Sequence, residues 1–249
     1  MAWQSPKTDW SSSDGVRNTD FNRIESNILY LFNNDAARED VTLYVSLPSS
    51  SIGGGNGSDT TGDGSAAAPY ATISKALSVL PKHLNGRSVT INVASGSYAD
   101  DVDIRGFTGG MLTITGSLGT TVSLRSLTIS FCTVMINGIN LNITGAGGVT
   151  VTNGATLITM SDFTCTSAGV KVSMCSKAHF AGKVTVRQAY TAIDVYANSA
   201  VYIGQILGSN NTIGLSVTSG GQIAYNFNEL IATTAAYTAS GGRILTGAQ

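Results

Sequence analysis

The sequence predicts a mostly β chain: a right-handed parallel β-helix of about 22 residues per coil, preceded by an N-terminal extended arm and a short α-helix. Three observations carry that expectation. The 249 residues are only 12% charged and 7% aromatic, with 29 glycines and four prolines, a profile that favours short strands over helices. From residue 86 onward the chain is a succession of strand-sized apolar pieces that recur at a nearly constant step. The first 41 residues differ in kind, holding seven of the 15 acidic and four of the 14 basic side chains and both tryptophans, Trp3 and Trp10.

Taken in order, "MAWQSPKTDWSSSDG" has turn formers and two large aromatics but no period, and reads as an extended arm. Phe21, Ile24, Ile28 and Leu31 then fall at steps of three, four and three, an a/d seam two heptads long that Leu29 and Phe32 widen. Thr19 is a candidate cap, and Asp20 suits the positive end of the helix dipole. A helix of roughly 14 residues is marginal alone in water, so its apolar face needs a partner. That partner is either another chain or the β-helix of the same chain.

Val41, Leu43 and Val45 alternate with Thr42, Tyr44 and Ser46 as in a half-buried strand. The glycine- and serine-rich run up to Pro69 reads as a loop or flexible connector. Ile73, Ala76, Leu77 and Leu80 share one helical face between a Thr72 cap and a Pro81 stop, placing a short amphipathic helix over the first coil.

The repeat is clearest at "VTV", "VKV", "IDV" and "LSV", which open at Val149, Val170, Ile193 and Leu215 with steps of 21, 23 and 22. A second row is expected at Phe163, Val184, Ile206 and Leu230, and a third at Leu157, Phe180, Tyr202 and Ile223. Three short strands per step make a parallel β-helix, with roughly seven coils between residues 86 and 236 and a rod about 30 Å long. An antiparallel sandwich is the alternative, because Asn-Gly pairs at 56–57, 85–86, 137–138 and 153–154 also suit hairpins.

A formal net charge of −1 supplies no basic stripe, so no nucleic-acid partner is expected. No apolar run approaches the roughly 18 residues of a membrane span, and the N-terminus lacks the order of a signal peptide, so a cytosolically made protein without membrane insertion is expected. Cys132, Cys165 and Cys175 have no CxxC spacing and read as buried free thiols.

Two stretches resemble known families. "WQSPKTDWSSSDGVRNTDFNRIESNILYL", through "PKTDW", "DGV" and "DFNRIE", resembles the N-terminus of tail and baseplate-associated proteins of phages and phage-derived contractile particles that act on Gram-positive bacteria. "GDGSAAAPYATISKAL" followed by "SVTINVASGSYADDVDI" is similar to the entry into the pectin-lyase-like β-helix of phage tail spikes and fibre proteins. The resemblance implies a virion or tail-like-particle location, partners among other tail or baseplate proteins, and a homotrimer. Trp3, Trp10, Phe21, Ile24, Ile28, Leu31 and Phe32 are then the docking and trimerisation residues, aromatic anchors being frequent in interfaces.

Residues 1–41 are thus expected to form the docking arm and helix, 42–69 a strand and connector, 70–236 the β-helix with its capping helix, and 237–249 a tail that leaves no separate receptor-binding head. Chemistry is sparse. Glycoside hydrolysis needs two carboxylates across the bond, and Asp101 and Asp103 share one strand face and could approach a sugar together, but "SYADDVDI" lies near the first coil, where a solvated edge is the simpler account. Asp162 has Lys183 one coil away, which suits a surface ion pair. "DTTGDG" lacks the twelfth-position glutamate of a calcium loop, Tyr70 standing there. His83 and His179 have no companions, so neither catalytic residues, metal nor cofactor are expected. The reading is a non-enzymatic structural or attachment component, with a host cell-surface glycan-binding tip, with or without depolymerase activity, as the alternative.

Overall fold

The computed structural model describes residues 4–8, 11, 13–34, 36–37, 39–49 and 55–246. It is 55% strand and 8% helix, wound as a parallel β-helix of about seven turns with about 22 residues per coil. Helix α1 (Asn18–Asn34) and strand β1 (Val41–Val45) precede helix α2 (Ile73–Val79). The first coil is β2 (Val89–Val93), β3 (Gly96–Ser97) and β4 (Asp101–Arg105). In the second and third coils, β5 (Met111–Ser130) and β6 (Thr133–Thr152) bend round all three faces. The fourth consists of β7 (Thr156–Thr159), β8 (Phe163–Thr166) and β9 (Val170–Val172), and the fifth of β10 (Lys177–Arg187) and β11 (Thr191–Val195). β12 (Ala200–Val217) and β13 (Gln222–Thr238) form the sixth and seventh, and β14 (Arg243–Thr246) opens an eighth. Every strand pairing is parallel, so among the described residues the sandwich alternative is excluded.

Stacking aligns like with like. On the first face Val41, Val89, Leu112, Val134, Leu157, Ala178, Val201, Ile223 and Ile244 form one inward row. On the third face Val149, Val170, Ile193 and Leu215 lie in the register their spacing predicts, and Val151, Val172, Val195 and Val217 run beside them. Each aliphatic side chain that loses all its water contributes roughly 1.5–3 kcal/mol, so these rows carry the fold.

Two expected rows are corrected. Phe163, Val184 and Ile206 do stack, but Asn228 continues the row, and Leu230 sits opposite Gly208. Leu157 is followed by Ala178 and Val201; Phe180 stacks instead between Thr159 and Ile203, and Tyr202 points outward beside His179. Ala178 holds an inward position there, where apolar size alone points to a larger neighbour, whereas Asn228 is exposed and Leu230 packs against the core.

The expected partition also shifts. β1 pairs with β2 and belongs to the β-helix, and the ladder continues through residues 237–238 into β14, inside the expected tail. The described part of the connector is an ordered loop rather than a tether. Gly64 O accepts from Tyr44 N–H, and the backbones of Ser46 and Tyr70 bond at 2.9 Å, so the loop covers the free edge of β1. Its glycines permit close approach: a Cβ on Gly57 would lie 1.7 Å from Ser46 O. Asp59 accepts from the N–H groups of Ala71 and Thr72 and from the Thr72 hydroxyl, tying the loop to α2. Thr72 caps that helix through Lys75 N–H at 3.0 Å, while Ile73, Ala76 and Leu77 are buried over the first coil.

Asn-Gly pairs make corners, not hairpins. Between the third and first faces, left-handed pairs stack at Asn153–Gly154, Met174–Cys175, Ala197–Asn198 and Ser219–Gly220. Their backbones bond from coil to coil at 2.9–3.1 Å. Cys175, expected to be buried, is exposed because its corner turns it outward; Cys132 and Cys165 are buried. Where the second face meets the third, buried Asn211 accepts from Ala189 N–H and donates to Val186 O, closing that corner.

Candidate functional site

α1 begins one residue before the expected cap. Arg17 O accepts from Asp20 N–H, and the Asp20 carboxylate accepts from Arg17 N–H at 3.0 Å, a reciprocal cap that leaves Thr19 exposed inside the helix. Asn27 is buried on the flank of α1, its amide accepting from Gln4 N–H at 2.9 Å and donating to Gln4 O at 2.8 Å. The arm is therefore clipped along one side of the helix. The seam stays bare: Phe21 is 57% exposed, Ile24 47%, Ile28 59% and Leu29 40%. The expected face is thus present, and these residues are exposed rather than folded back onto the β-helix. Leu31 and Phe32 continue the helical backbone, their side chains lying outside the described residues, as do Trp3 and Trp10. Beyond α1, Ala37 N–H bonds to His83 O at 2.8 Å and Asp40 accepts from Ser88 N–H, fixing the chain onto the first coil.

On the first coil, the outward carboxylates of β4, Asp101 and Asp103, are occupied by arginines. Asp101 accepts from the Arg125 guanidinium and the Ser126 hydroxyl one coil away, which hold its carboxyl down at about 2. The stabilisation from that pairing is full above the unfolded value near 3.8 and is lost as pH falls through about 2. Asp103 is paired with Arg105. Asp162 and Lys183 form the expected ion pair at 3.2 Å, and Asp162 also accepts from Lys183 N–H. Asp100 is pushed upward, first by burial and then by Asp59, while Ile73 N–H at the start of α2 opposes the shift. His83 meets Thr108 Oγ1 at 3.3 Å. Among the described residues no group of three His, Cys, Asp or Glu side chains is placed to hold a metal. No helix among them is long and apolar enough to cross a membrane.

Outside the first face lies a groove of about 400 Å³ that sequence reasoning missed. Ile158, His179, Tyr202, Ala224 and Leu245 form its floor, one coil after another. The Tyr202 ring is fixed by the edge of His179, with centroids 4.8 Å apart at 76°, and its hydroxyl accepts from Asn226 Nδ2 at 2.7 Å. The signal was present as outward residues one step apart, but a row with Tyr202 inward concealed it.

Comparison with family models, with curated proteins and with solved structures gives no match to this chain. Fold and surface chemistry together define a parallel β-helix protein whose N-terminal helix carries an exposed apolar face.

Proposed function

We propose that this chain is a structural attachment component of a phage tail or phage-tail-like particle, in the baseplate or a fibre. It docks through α1, self-associates as a homotrimer, and uses the β-helix as a projecting rod. The observation that carries this reading is the bare seam of Phe21, Ile24, Ile28 and Leu29, beside a flank that the arm already occupies. The a/d spacing suits a short bundle of copies, in which each seam side chain that loses its remaining water contributes about 1 kcal/mol. The resemblance of residues 3–31 to tail and baseplate-associated proteins supports the location and the kind of neighbour.

Sedimentation of the full chain is expected to give a trimer, and Ile24→Asp with Ile28→Asp a monomer of unchanged melting temperature. The same double variant, like deletion of residues 1–35, is expected to be missing from purified particles. A trimer that survives the double substitution, or normal incorporation of the deletion, overturns the docking role.

The rod itself acts without catalysis in this reading, since Asp101 and Asp103 each face an arginine. Incubation with host cell-wall polysaccharides, with or without calcium, is expected to release neither reducing ends nor unsaturated sugars. Cleavage that disappears in the Asp101→Ala, Asp103→Ala double variant moves the protein to the depolymerases.

A further inference from the structure

The groove on the first face has the makings of a ligand site that is independent of α1. Its floor is apolar, and at its centre stands an aromatic ring held from two sides, by the His179 edge and by the Asn226 amide. A ring so fixed offers a flat surface at little entropic cost, which suits the C–H face of a sugar. The wall beside that floor is polar and positive. Lys177, Ala200, Gln222 and Arg243 stack as the neighbouring outward row, Lys177 and Gln222 lining the groove and Arg243 continuing past it. Lys177 and Arg243 are exposed, and neither forms an ion pair among the described residues, unlike Arg105, Arg125 and Lys183. Among the described residues, no carboxylate lines the groove.

Geometry sets the length of the ligand. Lys177 and Arg243 are three coils apart, about 14 Å at the spacing of neighbouring strands, with Tyr202 between them. Two cations at that separation, flanking a ring and an amide, match a chain of sugars that carries a negative group every one to three residues. Lysine and arginine both recognise carboxylate and phosphate oxygens. A second copy of this chain is the poorer occupant, because packing face to face across a two-fold axis brings Lys177 and Arg243 against their own kind with no acid in the lining.

We propose that the outward groove at Tyr202 binds an acidic glycan, with one sugar ring on Tyr202 and anionic groups beside Lys177 and Arg243. The charges are uronate carboxylates or phosphodiesters, and the test separates them. The full chain is titrated calorimetrically with galacturonic acid octamer, with a phosphodiester-linked glycosyl polymer, and with neutral dextran of matched length. One or both acidic polymers are expected to bind at least about tenfold more tightly than dextran, with an affinity that falls as salt rises. Tyr202→Ala is expected to remove binding, and Lys177→Gln with Arg243→Gln to erase the acidic preference while leaving the melting temperature unchanged. Equal affinity for dextran, failure of both acidic polymers to bind at millimolar concentration, or undiminished binding by both variants overturns the proposal. So does a change of sedimentation on Tyr202→Ala, which identifies the face as a contact between copies. The Ile24→Asp, Ile28→Asp variant retains glycan binding if the groove acts alone, so failure at α1 and failure here are read separately.

Discussion

Val172→Asp is expected to lower stability by several kcal/mol, well beyond the ~1 kcal/mol of a typical substitution, and to remove most of the native fraction at physiological temperature. Val172 has no exposed surface and is stacked between Val151 and Val195 in the inward row of the third face. A carboxylate there has no cation or free N–H in reach, because the backbone groups around it are bonded to the coils above and below. It must either stay protonated or open the stack, and both cost free energy. The adjacent Lys171 points outward, over the Tyr196 ring at 5.3 Å, so Lys171→Gln is expected to cost well under ~1 kcal/mol. Paired thermal melts of the two variants check the register; equal losses contradict it.

Phe180→Ala is expected to cost about 3–5 kcal/mol. Phe180 projects inward from the first face and Phe163 from the second, both fully buried, with ring centroids 5.5 Å apart and planes at 51°. They fill the middle of the rod, where the neighbouring inward residue Ala178 is small. The coils on either side are fixed by backbone hydrogen bonds and cannot collapse into the space, so most of the cavity remains. Tyr190→Ala removes a ring that is 76% exposed and is expected to change stability by less than ~0.5 kcal/mol in denaturant titration.

The β-x-β triplets made the third face legible in sequence, because valine and isoleucine fill its inward positions in coil after coil. The other faces were harder to read, for a physical reason. Apolar size is the only sign of inwardness in a single sequence, and it misleads where Ala178 points in while Tyr202 points out. Since side chains alternate, a slip of one residue exchanges core for surface. That slip hid the groove, whose residues lie about 22 positions apart and meet only when the register is right. The seam of α1 was readable because its period is local. The role of Asp59 was not, since its partners Ala71 and Thr72 lie beyond a loop of glycines whose composition suggests looseness, although the backbone there is closely packed.

The shared direction of the ladders has a mechanical meaning. Every hydrogen bond between coils runs along the rod, so a steady pull or push on its two ends is divided among all the bonds of an interface on three faces at once. The interfaces lie in series, so each carries the whole load. Peeling is different: a force applied sideways at one end meets only the last few bonds before moving on to the next. Such a rod resists thrust along its axis and fails by unwinding from a terminal coil, one turn at a time.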